Sequence, residues 1–441
     1  MKKKSTTAAG TFYPNDKTKL ENLIKSYEIL EPKYYSRAVI VPHAGYIYSG
    51  KLGAEGIQHI KPDIKNVFIF APSHYERLYG CAICDYDEFE TPLGNIQVNK
   101  ELVQETAKLC DCNIENKAFE KEHSIEVQLP FIKYFLPNAK IVPILYGCEN
   151  FKNLCETLEH FWENPDNAFI ISSDLSHFYP EKEASKIDNY TARMIEENNL
   201  SNFEQEQACG AVGICGLIEF AKKKNFSLIR VGLTNSAAST GDSSRVVGYG
   251  SWFLYEGEKN NYIKKYYSNF LQKVCKDSIL SGLQIGQPKI LSHDCVFEEY
   301  GASFVTLELD GILRGCIGSI IAHKPLIKDL IHNAHAAAFS DPRFPPLTLN
   351  EYNKISIQVS LLSKPERIEF KTEKELLEKL TPQTDGLIIR DGNFQAVFLP
   401  DVWEQLPDKK EFLEQLKLKA GLPKNYFSEN LEAFKFSTTK I

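Results

Sequence analysis

Short apolar runs that end at a histidine or an acid recur along the first half of the chain. They read Ala38-Val-Ile-Val-Pro-His43, Val67-Phe-Ile-Phe-Ala-Pro-Ser-His74 and Ala168-Phe-Ile-Ile-Ser-Ser-Asp174-Leu-Ser-His177. Val, Ile and Phe runs bounded by Pro and Ser are typical of strands buried on both faces of an α/β sheet. Ligands of such sheets bind beyond the carboxyl ends of the strands. The pattern therefore predicts one shared, imidazole-rich pocket at these strand ends.

The remaining pattern of the first half alternates between helical and extended periodicity. Amphipathic or helical segments cover 17–27, 50–60 and 100–109, and another helix begins near Ser124. Between them lie extended segments, which are a β-rich stretch over 82–98, a strand over 140–145 and a closing strand over 246–255. This rhythm predicts a layered α/β domain with helices on both faces of the sheet.

A polar, turn-rich stretch over 256–261 separates the two halves of the chain and marks the predicted domain boundary. Beyond it, the pattern predicts a helix over 262–281, strands over 302–309 and 355–361, and a helix over 326–339. We therefore expect an α/β domain over 1–257 and a smaller, mixed α+β domain over 262–441.

The composition is that of a globular protein of two domains. The 441 residues are 43% hydrophobic and 25% charged, with a net charge of −7 and a pI near 5.9. This balance argues against non-specific binding to nucleic acid or acidic membranes. No apolar stretch approaches the roughly 20 residues of a membrane span. The basic start, Lys2 to Lys4, has no apolar core after it, so we expect no signal peptide and a cytoplasmic protein.

The eleven cysteines show no framework spacing, so we expect them to be reduced and to be mostly small buried residues. Cys81 and Cys84 form a single C-x-x-C in a predicted strand, where they would face opposite sides. A role in the core is the favoured interpretation over half of a zinc site. Cys110 and Cys112 likewise lack a neighbouring histidine or cysteine pair in the sequence.

The residues at the strand ends suggest a metal centre. His43 and His74 follow separate strands, and neutral imidazole is a common ligand of iron, copper and zinc. Two histidines and one carboxylate form the site of non-haem iron(II) oxygenases. The alternative is that each histidine caps its strand. Asp174 and His177 are spaced to meet if a helical turn begins there, as a general base requires, whereas His123 faces either the pocket or solvent.

Seven segments resemble the signature of the Memo family and occur in the same order over about residues 5–256. They are Ala9-Gly-Thr-Phe-Tyr-Pro14, Pro42-His-Ala-Gly-Tyr46, Ala71-Pro-Ser-His74, Glu122-His-Ser-Ile-Glu-Val-Gln-Leu-Pro130, Ser172-Ser-Asp-Leu-Ser-His177, Cys209-Gly and Gly241-Asp-Ser-Ser-Arg-Val-Val-Gly-Tyr249. Memo proteins are similar in fold to class III extradiol dioxygenases, which open catechol-type rings with iron(II). The resemblance therefore implies such a fold for the first domain.

The same resemblance implies roles for individual residues. His43 and His74 would be metal ligands, His177 the acid/base histidine, and His123 a residue of the same pocket. Animal Memo proteins take a third ligand, a cysteine, from the loop before the closing strand, but here that loop (234–242) contains none. Asp242 is the expected replacement, although Gly-Asp-Ser-Ser also resembles a turn or a helix cap. The alternative to Asp242 is Cys209, as a thiol of the pocket.

The second half contains its own candidate site. Gly311-Ile-Leu-Arg-Gly-Cys316-Ile-Gly-Ser319 places Cys316 between glycines and two residues after Arg314. Glycines let a backbone approach a ligand closely, and a nearby cation lowers the pKa of a thiol. Cys316 is either a reactive or metal-binding thiol or a small residue at a tight strand junction. The rigid turn from Asp341 to Pro346 can place Arg343 against the same site.

Residues 262–430 resemble the AMMECR family. The resemblance rests on Leu313-Arg-Gly-Cys-Ile-Gly318, Phe339-Ser-Asp-Pro-Arg-Phe-Pro-Pro-Leu347, Val359-Ser-Leu-Leu-Ser363, Asp385-Gly-Leu-Ile-Ile, Ala396-Val-Phe-Leu-Pro400 and Gly421-Leu-Pro423. A Memo-like half joined to an AMMECR-like half is the composition of the AmmeMemoRadiSam system. This composition implies a radical S-adenosylmethionine protein as a partner. Because this chain lacks the C-x3-C-x2-C motif of such enzymes, the partner would be a separate protein.

Three functions are consistent with these observations. The first is a metal-dependent oxygenase or redox enzyme for a small, aromatic substrate, with iron(II) as the expected divalent metal and copper or zinc as alternatives. In that enzyme His43, His74 and Asp242 would hold the metal, while His177, Asp174 and His123 would act in catalysis. The second is a non-catalytic scaffold of the AmmeMemoRadiSam system. The third is a thiol enzyme in which Cys316, beside Arg314, is the nucleophile.

Overall fold

The computed structural model describes residues 1–147, 151–201, 203–283 and 293–441. The chain forms two compact units, Met1–Lys259 and Asn260–Ile441. Within the described residues, no helix has both the length and the apolarity that crossing a bilayer requires.

The first unit is built on a mixed central sheet. Its strands, together with those of a small outer sheet, are β1 (Lys3–Lys4), β2 (Ala38–Val41), β3 (Asn66–Pro72), β4 (Cys81–Ile83), β5 (Glu88–Phe89), β6 (Ile96–Gln97), β7 (Asn113–Ile114), β8 (Lys140–Tyr146), β9 (Asn167–Ser172), β10 (His177–Tyr179), β11 (Ser227–Asn235) and β12 (Val246–Tyr255). The central order is β10-β12-β2-β9-β3-β8-β4-β7, with β11 paired to β12, and the outer sheet is β1-β5-β6.

The middle of the central sheet is parallel and fully covered. β9 pairs in parallel with β2 on one side and with β3 on the other, and every residue of β2 and β9 is buried. The prediction of strands buried on both faces is therefore confirmed. Because parallel strands share their direction, the carboxyl ends of β2, β3 and β9 lie side by side.

Helices alternate with these strands along the chain. They are α1 (Lys17–Lys25), α2 (Lys51–Ile57), α3 (Lys100–Cys110), α4 (Asn116–Glu120), α5 (His123–Glu126), α6 (Leu129–Phe135), α7 (Phe151–Trp162), α8 (Glu181–Glu196), α9 (Ala211–Lys224) and α10 (Ala237–Thr240). A π-helical turn, Tyr46–Gly50, leads into α2. The helix predicted to begin near Ser124 is split into α5 and α6, and Pro130, which has no N–H to donate, lies in the first turn of α6.

Helices cover both faces of the central sheet, as the sequence predicts. Gly56 of α2 lies against Val41 of β2, and Gly213 of α9 lies against Ile171 of β9. In the register of this pair, Val41 is opposite Ser172, so Val41 and Ile171 project to opposite faces. Thus α2 and α9 pack on opposite sides of a layered α/β domain.

The second unit is a mixed α+β domain with two antiparallel sheets. Its strands are β13 (Ser303–Leu309), β14 (Ile312–Gly318), β15 (Ile355–Leu362), β16 (Glu366–Ile368), β17 (Gly386–Asp391), β18 (Phe394–Phe398), β19 (Glu432–Phe436) and β20 (Thr438–Lys440). The sheet orders are β14-β13-β15-β20 and β16-β19-β17-β18. The helices are α11 (Lys259–Leu283), α12 (Leu326–Phe339), α13 (Leu349–Tyr352), α14 (Glu373–Glu378) and α15 (Lys409–Lys419).

One pair of cysteines departs from the predicted reduced state, because Cys81 and Cys112 form a disulfide with a Cα–Cα distance of 4.9 Å. The cause is a strand pairing that the sequence did not indicate. β4 and β7 are parallel, with Ala82 opposite Asn113, so the preceding residues of the two strands are neighbours as well. Cys84 is buried and reduced, as predicted for a core residue.

Two glycines of α2 provide a test of the packing between this helix and the sheet. A Cβ at Gly56 would lie 2.3 Å from Oγ of Ser251 and 2.6 Å from Cγ1 of Val41, whereas a Cβ at Gly53 finds its nearest atom 3.4 Å away, on Phe131. We expect Gly56→Ala to lower the free energy of unfolding by about 1–3 kcal/mol through overpacking. Gly53→Ala, the matched control, should raise it by about 0.5–1 kcal/mol by restricting the unfolded backbone.

Urea denaturation followed by circular dichroism measures both changes. Equal effects of the two substitutions would contradict the described contact between α2 and β12.

Candidate metal centre

Three potential metal ligands meet at the carboxyl edge of the central sheet. His43 follows β2, His74 follows β3, and Cys209 precedes α9. The loop after β9 holds Cys209, because the backbone N–H of Cys209 donates to the carbonyl of Asp174 at 3.3 Å and the N–H of Gly210 donates to Oγ of Ser173 at 2.9 Å. The site therefore combines the two predicted metal ligands with Cys209, which the family resemblance offered as a thiol of the pocket.

The ligand atoms of His43, His74 and Cys209 lie within 4.8 Å of one another. Nε2 of His43 is 3.2 Å from Sγ of Cys209, and the imidazole rings of His43 and His74 have centroids 5.2 Å apart. A second group, His74, Glu122 and His123, meets the same distance limit and shares His74 with the first. The structure thus contains a compact set of nitrogen and sulfur donors.

Hydrogen bonds around Ser172 determine which nitrogen of His43 carries the proton. The Ser172 hydroxyl donates to the carbonyl of Ser124 at 2.7 Å, and Nε2 of Gln128 donates to Ser172 Oγ at 3.0 Å. Since the only hydroxyl proton is used, Nδ1 of His43, 2.9 Å from Ser172 Oγ, must be the donor of that bond. The lone pair of His43 is therefore on Nε2, the nitrogen that faces Cys209.

Glu122 orients His74 in the same way. Nδ1 of His74 lies 2.9 Å from Oε1 of Glu122, and the backbone N–H of His74 donates to Oε2 at 2.6 Å. Burial alone would raise the pKa of Glu122, but the hydrogen bonds and charge of His74 lower that pKa to about 2. The carboxylate is therefore ionised and holds a proton on Nδ1, which leaves Nε2 of His74 free to bind a metal.

His123 lies in the same pocket, although sequence reasoning left its direction open. Its ring stacks on Phe12, with centroids 4.6 Å apart, and on His74 at 4.8 Å. Nδ1 of His123 is 3.5 Å from Oε1 of Glu122 and makes no hydrogen bond within the described residues. Burial, together with repulsion from His74, lowers the pKa of His123 to about 4, so the ring is neutral at pH 7.

Asp174 and His177 are near the cluster, but they do not form the predicted pair. His177 begins the short strand β10 instead of a helical turn, and no hydrogen bond joins it to Asp174 in the part of the chain described. Oδ1 of Asp174 instead accepts the backbone N–H of His43 at 2.8 Å. Burial raises the pKa of Asp174 to about 7 and lowers that of His177.

The expected third ligand, Asp242, belongs to neither donor group. Its side chain is exposed, and Oδ1 accepts hydrogen bonds from the backbone N–H and the hydroxyl of Ser244, at 2.9 and 2.6 Å. These bonds lower the pKa of Asp242. The carboxylate therefore closes a turn, the alternative that Gly-Asp-Ser-Ser left open, and Cys209 is the thiol beside the histidines.

The other two candidate residues, Cys316 and Arg314, lie on β14 of the second unit. Arg314 is buried and forms an ion pair with Glu351 through Nε and Oε1 at 2.8 Å. Cys316 is partly exposed and lies 3.3 Å from the hydroxyl of Thr306. Both residues therefore lie in the second unit, whereas His43, His74 and Cys209 lie in the first.

The donor set of the first unit fits a metal ion. Burial and repulsion from the neighbouring imidazoles hold the pKa of His43 well below its usual range, so its Nε2 keeps a lone pair at neutral pH. Thiolate and imidazole are ligands of zinc, copper and iron. The fold and the site together define an α/β protein with a candidate metal centre of two nitrogen donors and one sulfur donor, joined to an α+β domain.

Comparisons with known proteins agree with this architecture. A family model described as Memo-like protein matches residues 4–253, and the AMMECR1 model matches residues 272–441. The chain belongs to the Memo-like protein family, and an AMMECR1 domain follows its Memo domain.

Curated relatives named MEMO1 family protein align over almost their whole length with a little more than half of this chain. The relative from Aquifex aeolicus is 34% identical over 262 residues, covering 56% of this chain and 98% of the relative. The relative from Methanobrevibacter smithii is 33% identical over 272 residues, covering 55% and 96%. A crystal structure of an uncharacterized protein from Pyrococcus horikoshii has 33% identity and a TM-score of 0.37, covering 39% of this chain and 88% of that one.

The hydrogen bond from His43 to Ser172 can be tested by mutation. We expect Ser172→Ala to weaken metal binding by about 10–100-fold, because the imidazole loses the acceptor that fixes its tautomer. Ser251→Ala is the matched control: this serine is also fully buried in the central sheet but donates to the carbonyl of Ile40 at 3.0 Å. Titration with zinc in competition with a chromophoric chelator measures the affinity, and an equal loss in both variants would contradict the assignment.

Proposed function

We propose that the Memo domain is a metal-dependent redox enzyme of the non-haem oxygenase type that acts on a small aromatic molecule. The observation that carries the proposal is the convergence of His43, His74 and Cys209 within 4.8 Å. Three protein ligands leave other positions of a metal ion for O2 and substrate. The likeness of Memo proteins to extradiol dioxygenases supports the reaction type.

The proposed metal is iron(II), with copper and zinc as its competitors. Imidazole suits all three metals, whereas a thiolate favours zinc and copper(I) more than a carboxylate does. Because the proposed third ligand is Cys209 and not the expected Asp242, the identity of the bound metal has to be measured. A bound redox-active ion supplies an electron-transfer centre and a Lewis acid.

The proposed proton transfers belong to His177 and Asp174. Burial lowers the pKa of His177, so a lone pair of its neutral imidazole is available to accept a substrate proton. The pKa of Asp174, raised to about 7 by burial, is close to the pH at which a group both accepts and donates protons effectively. Nδ1 of His123, which has no hydrogen-bond partner in the described residues, is available to a substrate hydroxyl.

Aromatic side chains around His123 support an aromatic substrate. Phe12 stacks on the His123 ring, and Tyr75 meets it edge-on with centroids 6.0 Å apart. Tyr75 is 55% exposed, and Phe178, which follows His177, is 59% exposed. Phe178 also has a φ of +66°, a left-handed conformation that is costly for a bulky residue and that concentrates at functional sites.

A separate radical S-adenosylmethionine protein is the proposed partner. The support for this partner is the presence of a Memo and an AMMECR1 domain in one chain, the composition of the AmmeMemoRadiSam system. The chain has no C-x3-C-x2-C motif, so the iron–sulfur cluster of such an enzyme would be held by the partner. If the site binds no metal, the alternative function is that of a non-catalytic scaffold for that partner.

Anaerobic titration with iron(II), copper(I) and zinc, followed by elemental analysis, tests the metal site. We expect the wild-type chain to bind one ion and the double variant His43→Ala, His74→Ala to bind none. Cys209→Ala should weaken binding by more than about 100-fold, since it removes a direct ligand rather than an outer partner. Asp242→Asn, a change to an exposed turn, is the matched control and should bind like the wild type.

Two outcomes contradict this proposal. Loss of binding in Asp242→Asn but not in Cys209→Ala would return the third ligand to the loop before β12. Wild-type protein without bound metal, combined with capture of the radical S-adenosylmethionine protein by the double histidine variant, would favour the scaffold.

A further inference from the structure

The turn after α12 in the AMMECR1 domain runs along strand β14. At one end, the carboxylate of Asp341 accepts the backbone N–H of Cys316 at 2.8 Å. At the other end, the carbonyl of Pro345 accepts Nη2 of Arg314 at 2.9 Å. The register of β13 and β14 shifts between Leu307 and Glu308, opposite Arg314, and such bulges re-aim side chains beside functional sites.

The Cys316 thiol lies on the side of β14 that faces away from α12. Its neighbour Gly315 lies so close to α12 that a Cβ there would be 2.1 Å from the carbonyl oxygen of Ala337. Successive residues of a strand project to opposite faces, and Sγ of Cys316 is accordingly 3.3 Å from Thr306 Oγ1 on the paired strand. The thiol is partly exposed there.

The guanidinium of Arg343 is held beside Cys316 and keeps unused hydrogen-bond donors. Its Nε and Nη2 donate to Asp341 at 3.0 and 2.7 Å, and Nη2 also donates to the carbonyl of Cys316 at 3.3 Å. Asp341 is buried, whereas the Arg343 side chain is 53% exposed. Nη1 of Arg343 makes no hydrogen bond within the described residues, so a planar, preorganised guanidinium beside the backbone of Cys316 keeps two unused N–H groups.

One further unmatched donor occurs in the same domain. Nη1 of Arg314, a residue that is 8% exposed, is buried without a hydrogen-bond partner in the described residues. A bound anion or an ordered water would satisfy a donor of this kind.

We propose that the AMMECR1 domain binds a small organic anion, whose carboxylate or phosphate lies on the Arg343 guanidinium beside the Cys316 thiol. This site is independent of the metal centre in the Memo domain, and its test uses no metal and no turnover.

A pair of thiol reagents that differ only in charge tests the site in the full chain. Iodoacetate and iodoacetamide both form a C–S bond with the thiolate and release iodide, while the thiol proton goes to solvent. We expect the rate ratio of iodoacetate to iodoacetamide at Cys316, followed by mass spectrometry of its peptide, to exceed the ratio for a small free thiol by about tenfold, because the guanidinium holds the carboxylate.

Arg343→Gln should return this ratio to that of the free thiol, and Arg343→Lys should retain part of the preference. Arg390→Gln is the matched control, because Arg390 is also about half exposed and paired with a carboxylate, that of Glu432. An unchanged iodoacetamide rate in Arg343→Gln shows that the fold around Cys316 is intact.

Protection from iodoacetate by inorganic phosphate or by acetate identifies which anion the site prefers, and protection by either one supports the proposal. A wild-type ratio equal to that of the free thiol, a ratio unaffected by Arg343→Gln, or a Cys316 that reacts with neither reagent would overturn it.

Discussion

The parallel pairing of β9 with β2 on one side and β3 on the other is the constraint on which the metal centre depends. It brings the ends of three strands to one edge, with Val41 opposite Ser172 in the register. From that edge Ser172 reaches Nδ1 of His43 and Asp174 reaches the backbone of His43. The loop after β9 also binds Cys209. One strand therefore positions two of the three potential ligands, and a shift of its register by one residue would turn Ser172 to the other face.

Burial and hydrogen bonding keep this centre ready for a cation. A buried imidazolium is costly, and the three clustered imidazoles repel one another when charged, so His43 and His123 remain neutral at pH 7. Glu122 remains ionised because His74 donates to it. The result is a pocket with nitrogen lone pairs, the ionised carboxylate of Glu122 and the thiol of Cys209. Its imidazoles disfavour a proton, whereas burial raises the pKa of the Cys209 thiol, so binding of a metal ion by this sulfur would release a proton.

Much of this arrangement could be predicted from local sequence, and the rest depended on long-range contacts. Buried parallel strands are recognisable in a sequence as apolar runs, so the positions of His43 and His74 at strand ends could be predicted. Cys209 lies 166 positions from its neighbour His43, and no local pattern signals that contact. The Cys81–Cys112 disulfide likewise depends on the pairing of β4 with β7. Strand β14 was not predicted, although the sequence contains a local signal for it. Asp310 and Gly311 adopt positive φ in the turn before β14, as the central residues of Asp-Gly hairpins do.

X-ray absorption spectroscopy at the edge of the bound metal tests the central claim most directly. The account predicts one sulfur scatterer and nitrogen or oxygen scatterers in the wild-type protein, with sulfur absent from the Cys209→Ser variant. A wild-type spectrum with nitrogen and oxygen alone, unchanged by Cys209→Ser, would contradict a centre built from His43, His74 and Cys209.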